Sequence, residues 1–220
     1  LLATPTWAIQ REVGPGQTYT TISACESAAS SGDICNVHAG TYTEQVNITG
    51  VANLTFQANT GDTPLVNPGG GFRVFYINAN GTTVKGFEGT NWGSAASALA
   101  GIEINLAITG AVVQDNVLHD GYGPGVYCNG CTAPLVTGNT IYNGQRASAG
   151  VSADGVAILA CTSSDGTFAN GCRIQNNTIH DMHVDGIKIC GQWFTVSGNN
   201  VYNNIDTDHA SVHPDGIQFL

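Results

Sequence analysis

Five segments of the chain share the form Gly-Φ-x-Φ, where Φ is apolar. They are Gly101-Ile102-Glu103-Ile104, Gly125-Val126-Tyr127-Cys128, Gly155-Val156-Ala157-Ile158, Gly186-Ile187-Lys188-Ile189 and Gly216-Ile217-Gln218-Phe219. Their glycines stand 24, 30, 31 and 30 residues apart. A second form, Φ-x-[Asp/Gly/Asn]-Asn-x-Φ, occurs at 113–118, 136–141, 174–179 and 196–201, with its asparagines 23, 38 and 22 residues apart. Each alternating run reads as a short strand with one face in and one face out. One such unit cannot bury its inner face by itself, so neighbours must stack, which sets equivalent residues about 4.8 Å apart.

The class this pattern predicts is all-β: a right-handed parallel β-helix with rungs of about 22 to 31 residues. The turn residue of the second form is Asp115, Gly138, Asn176 or Gly198, always a type that tolerates left-handed backbone. The residue after it, Asn116, Asn139, Asn177 or Asn199, is expected to point inward and hydrogen-bond along the stack. The longest spacing carries two inserted loops, 144–153 and 162–171, and insertions on one side of a solenoid often build the binding face. The N-terminal stretch departs from the repeat and predicts a short helix over 22–30, the kind of cap a first rung requires. The chain divides on this reading into a signal-peptide remnant at 1–8, an N-terminal cap at 9–45 and rungs over 46–220. Because Leu220 follows directly on a strand of a new rung, the C-terminus is expected to be truncated.

A formal charge of −10 with only six Lys and Arg argues against nucleic acid, whose phosphates need a basic face. It also means that a polyanionic ligand needs a bound cation or a local basic spot. No apolar run reaches the roughly 20 residues that span a bilayer, so no membrane association is expected. Residues 1–8 are mostly apolar and end in Thr6-Trp7-Ala8, a plausible cleavage site of a secretory signal. Seven cysteines fit an oxidising, extracellular compartment. The simplest pairing is Cys25 with Cys35, Cys128 with Cys131, and Cys161 with Cys172, leaving Cys190 over. Cys131 with Cys161 is an alternative, and zinc at the lone Cys-x-x-Cys is a weaker one for want of a second ligand pair.

Chemistry is expected where the repeat turns acidic. The residue before each repeated glycine forms a column of Pro124, Asp154, Asp185 and Asp215, and two residues earlier stand Tyr122, Ser152, His183 and His213. The last two rungs thus carry His-x-Asp-Gly. Carboxylates about 5 Å apart repel, so the column needs a cation, a proton or a basic partner, and an oxygen-rich cluster suits calcium. Asp181, Asp206, Asp208 and His209 lie near it in sequence. The plainer reading is that each Asp-Gly makes its turn, the carboxylate capping backbone amides. Lys188 points outward between Ile187 and Ile189, in a column with Glu103, Tyr127, Ala157 and Gln218. Beside calcium its pKa is expected to fall, making it a candidate general base; the plainer reading is a solvated strand lysine. Arg146 and Arg173 are alternative cations, and Tyr127 is the single outward aromatic read on this strand face.

The N-terminal run Pro15-Gly16-Gln17-Thr18-Tyr19-Thr20-Thr21-Ile22, the helix, and the run Gly32-Asp33-Ile34-Cys35-Asn36-Val37 through Gly40-Thr41-Tyr42-Thr43-Glu44 resemble the start of pectate-lyase-like β-helix proteins. With the rungs, the resemblance covers nearly the whole chain and is specific for fold rather than activity. It implies a secreted, monomeric protein acting on acidic polysaccharide, with Asp154, Asp185 and Asp215 as calcium ligands and Lys188 as base in β-elimination from a uronate polymer. Alginate-active relatives use histidine and tyrosine, which keeps His183 and His213 in the catalytic set. A related epimerase, a glycoside hydrolase and a non-catalytic carbohydrate-binding or adhesive solenoid stay open. For the hydrolase, His183-Val184-Asp185-Gly186 faintly resembles the Asn-Thr-Asp-Gly element of polygalacturonases, whose following Asp-Asp and Gly-His-Gly are missing here.

Overall fold

The computed structural model describes residues 8–145, 153–205 and 215–220. It is a parallel β-helix of three sheets with eight, seven and seven strands. From Ile34 onward each rung visits sheets A, B and C in turn, so sequence neighbours lie in different sheets and partners within a sheet come from successive rungs; Gln10–Val13 adds an eighth strand to sheet A ahead of the cap helix. Sheet A stacks Gln10–Val13, Ile34–Val37, Thr55–Ala58, Thr83–Lys85, Val112–Gln114, Leu135–Thr137, Cys172–Gln175 and Phe194–Ser197. Sheet B stacks Thr41–Tyr42, Leu65–Val66, Glu88–Thr90, Val117–Tyr122, Thr140–Gln145, Thr178–His180 and Asn200–Tyr202. Sheet C stacks Val46–Thr49, Phe75–Asn78, Ile102–Ile104, Val126–Asn129, Val156–Cys161, Ile187–Gly191 and Ile217–Phe219.

The register is the one the repeat predicts. Ile102 pairs with Val126, Val126 with Val156, Val156 with Ile187, and Ile187 with Ile217. The inward positions form apolar columns, such as Val113, Val136 and Ile174 in sheet A and Leu118, Ile141 and Ile179 in sheet B, all fully buried. Burying each such side chain contributes about 1.5–3 kcal/mol before entropy is counted. In the early rungs, aromatics take over the core, Phe75 meeting Phe87 edge-on at 5.0 Å between ring centres.

The asparagine column lies at the A-to-B corner. The side-chain amides of Asn116, Asn139 and Asn177 donate to the next residue's Oδ1 at 3.0, 2.9 and 2.9 Å, ending on Asn199. The turn residues before them are left-handed, with φ of 53° at Asp115, 69° at Gly138, 56° at Asn176 and 66° at Gly198. Their alternation has a steric cause. A Cβ on Gly138 would come within 2.1 Å of Asp115 Oδ1, and one on Gly198 within 2.2 Å of Asn176 Oδ1. A side chain on one rung therefore requires glycine on the next.

The cap helix spans Ile22–Ala28, two residues shorter than the sequence predicts, and buries Ile22 and Cys25 over the first rung. Thr21 caps it, its hydroxyl oxygen accepting from Ala24 N at 3.1 Å, and the Glu44 carboxylate accepts from the amides of Ile22 and Ser23. Disulfides join Cys25 to Cys35, Cys128 to Cys131 and Cys161 to Cys172, and Cys190 is free. The zinc reading of Cys128 and Cys131 therefore falls away. Among the described residues no helix is long and apolar enough to cross a membrane.

Candidate functional site

The acidic column stands at the B-to-C corner, in register. Gly125 N donates to Asp154 O, Gly155 N to Asp185 O and Gly186 N to Asp215 O, at 2.9 to 3.0 Å. The carboxylates are linked along the stack as well. Asp154 Oδ1 accepts from the backbone amide of Asp185 at 3.3 Å, and Asp185 Oδ1 accepts from that of Asp215 at 2.9 Å. Asp154 and Asp185 are almost wholly buried, while Asp215 is exposed. A carboxylate has no donor of its own, so it can continue such a ladder only by taking the next rung's N–H.

Burial of a charge demands a partner. For Asp185 that partner is Lys188, whose ammonium approaches Oδ2 at 3.5 Å. Both expectations thus meet at Asp185, whose carboxylate caps an amide and faces a cation of the chain itself. Arg173 lies on sheet A, paired with Leu135 and Thr195, and is no alternative to Lys188. Arg146, Ser152, His213 and the acidic stretch with Asp206, Asp208 and His209 fall outside the described residues.

The fit to calcium follows from this donor set. One oxygen of Asp185 is spent on an amide and the other faces an ammonium, which a calcium ion would have to displace. Among the described residues, no three His, Cys, Asp or Glu side chains gather as a cation site. The column as described therefore does not fit the ion.

Lys188 projects from the outer face of sheet C, between Ala157 and Gln218. Along the same face the column continues through Tyr127, Glu103 and Tyr76. Tyr127 is therefore not its single aromatic, and Lys188 is not its single cation. Arg73 pairs with Glu103 and lies 4.9 Å over the Tyr76 ring. A depression of about 240 Å³ on this face is lined by Glu103, Leu106, Tyr127 and Asn129 among others. The inserted loop 162–171 follows the sheet C strand Val156–Cys161 and leads into sheet A, so it stands on the C-to-A side of this face.

His183 sits at the B-to-C corner, its amide donating to Gly144 O at 3.1 Å. It lines a pocket of about 190 Å³ with Asn143, Asp181, Met182, Asn203 and Ile205. That pocket leads onto a feature the sequence reading missed. On the outer face of sheet B, His119, Tyr142, His180 and Tyr202 stack ring on ring, with centres 5.0, 5.1 and 4.9 Å apart and planes within 10°. His119 Nδ1 is 2.7 Å from Asp120 and Nε2 is 3.0 Å from Glu88, while His180 Nδ1 is 2.6 Å from Asp181. Desolvation opposes protonation of His119, but its hydrogen bonds to the Asp120 and Glu88 carboxylates outweigh it and hold its pKa above the ordinary value. Asp120 is lowered in return, chiefly by its bond to His119, and burial raises the Tyr142 hydroxyl with help from Asp120 and Glu88. The signal was present as Leu118-His119-Asp120, Ile141-Tyr142-Asn143, Ile179-His180-Asp181 and Val201-Tyr202-Asn203, beginning on the last residue of the asparagine pattern.

No protein-family model matches the chain, and no curated protein matches it in sequence. Its fold is shared with solved structures. The chain superposes on pectate lyase Pel9A over 96% of its length with a TM-score of 0.70 and 15% identity. It spans 58% of that enzyme's chain. A rhamnogalacturonan lyase matches with a TM-score of 0.56 over 96% of the chain and 61% of its own, at 15% identity. A thermostable α-1,3-glucanase from Streptomyces thermodiastaticus matches with 0.57 over 98% and 46%, at 18% identity. The chain thus has the parallel β-helix fold of these structures. At these identities the likeness defines the fold alone.

Proposed function

We propose that this chain belongs to a secreted, polysaccharide-active β-helix protein, and that its reaction is β-elimination from a uronate polymer of the pectate or alginate type. The observation that carries the reading is Lys188. It is an outward cation on sheet C, standing beside the buried carboxylate of Asp185. Pectate lyase and rhamnogalacturonan lyase on the same architecture support the substrate class. Three disulfides support an extracellular setting.

Lys188, in the neutral amine form left once its ammonium has given a proton to solvent, is the group assigned to take the proton α to the uronate carboxylate. The electron pair left behind forms the carbon–carbon double bond as the glycosidic oxygen leaves and is protonated. His183 borders the pocket at the B-to-C corner and is assigned to the leaving oxygen. No step is drawn through calcium; its contribution is a variable of the assay. A hydrolase needs two available carboxylates at a set separation, whereas Asp154 and Asp185 are buried and bonded.

The test is absorbance of unsaturated uronate products from pectate and alginate, with and without calcium. Turnover is expected, and Lys188→Ala is expected to remove it while the variant still folds. Reducing sugar without the chromophore would establish hydrolysis instead. A second reading, binding without turnover, is favoured by the ring ladder of sheet B, and saturable binding of the polymers with neither product would establish it.

A further inference from the structure

We infer that Phe168 and Trp193 form a sugar-stacking subsite at the C-to-A corner, flanking the sheet C face. The inference deepens the polysaccharide reading above and rests on it. The two rings lie 25 positions apart in sequence yet meet with centres 5.2 Å apart and planes at 69°, making an L-shaped apolar corner. Phe168 is 59% exposed. With Gln192 the pair lines a surface pocket of about 340 Å³.

The corner is pre-organised. Cys161 and Cys172 close the loop that carries Phe168. Inside it, Ser163 Oγ donates to the carbonyls of Thr167 and Asn170 at 2.9 and 3.0 Å, and Asn170 Nδ2 donates to Asp165 at 2.8 Å. Trp193 is held with φ of 66°, a left-handed backbone that a bulky residue rarely adopts. Its carbonyl accepts from Cys172 N at 2.9 Å. Gly171 opposite makes room, because a Cβ there would lie 2.0 Å from Trp193 O. Such an arrangement keeps an exposed aromatic pair in place with little ordering left for a ligand to cost.

The chemistry of the corner selects the occupant. A sugar ring offers an apolar C–H face to the aromatic walls and hydroxyls to the Gln192 amide between them. A protein partner needs roughly 1,000 Å² of interface, far more than three side chains supply. Position agrees as well. Trp193 follows Lys188 by five residues, at most about 17 Å along an extended chain, so a polymer lying across sheet C reaches both.

The experiment is a tryptophan-fluorescence titration with galacturonate, alginate and xylan oligosaccharides, run beside calorimetry on the same ligands. Trp92 is fully buried and supplies a constant background, and Trp7 is replaced by Phe throughout so that Trp193 is the remaining reporter. A saturable emission change is expected with at least one ligand, and Trp193→Phe is expected to abolish it and to weaken calorimetric binding of that ligand. Phe168→Ala is expected to weaken that ligand roughly three- to tenfold with unchanged thermal stability, the size of one aromatic contact. Binding by calorimetry with no change in emission, or unaltered affinity in Phe168→Ala, overturns the subsite and leaves the polysaccharide reading standing. Absence of binding to every ligand overturns both.

Discussion

Two corners of this solenoid carry a column of buried polar side chains, and they differ in a single respect. At the A-to-B corner the column is asparagine, and at the B-to-C corner it is aspartate. An asparagine amide both donates and accepts, so each copy gives its N–H to the next and receives one from the last. That ladder is neutral and needs nothing from outside. An aspartate only accepts, so its ladder runs through backbone amides and leaves charge behind. Lys188 meets part of that charge, and it is also the residue with the clearest chemical prospects on the molecule. Similar stacking geometry thus yields a neutral scaffold on one corner and a charged column, carrying the proposed base, on the other.

Cutting the neutral ladder should have the largest effect. Asn139→Ala removes the acceptor for both the backbone and side-chain amides of Asn116, and the donor to the Val113 carbonyl. Leaving these buried groups unmet should destabilise the fold by about 3 kcal/mol, read by chemical denaturation. A loss below about 1 kcal/mol would mean that water or neighbours replace the bonds.

The acidic ladder sharpens the contrast through its charge. Lys188→Ala leaves Asp185 buried beside no cation and should cost about 2 kcal/mol. Asp185→Asn keeps the Oδ1 acceptor for Asp215 and removes the charge, so the double variant Asp185→Asn with Lys188→Ala should recover most of that loss. Additive losses in the double-variant cycle would show that the pair is not coupled.

The smallest effect is expected at the half-exposed column of sheet B, where water screens the charges. His119 has a raised pKa, so its bonds to Asp120 and Glu88 contribute stability that is fully present below its ordinary value of 6.5 and lost as the pH rises through the raised one. Asp120 is lowered, so its share is present above 3.8 and lost as the pH falls through the lowered value. His119→Gln should therefore cost about 1 kcal/mol or less near pH 5.5 and nearly nothing near pH 8.5, by denaturation at both. An equal loss at the two pH values would assign the effect to ring stacking rather than charge.

Most of the fold was legible because its signals are short. The spacing of Gly125, Gly155 and Gly186, the run from Asp115 to Leu118 and the three near-neighbour cysteine pairs each need only a local window. The site was legible as positions. Asp154, Asp185, Asp215 and Lys188 could be placed in columns once the rungs were counted. What they do there could not. The pairing of Lys188 with Asp185 depends on the path of one turn, and the sequence reading supplied calcium for a charge the chain partly meets itself.

Alternating apolar residues and left-handed turn positions that recur at near-constant spacing determine a parallel β-helix, because stacking the repeats in register buries every inner face. They also determine which residues share a column. The tertiary structure alone decided which columns are buried, which rings meet across sheet B, and that Phe168 and Trp193 close on one corner. The physical reason is that burial and side-chain contact depend on the neighbouring rung and on the path of each inserted loop, and a repeat pattern specifies neither.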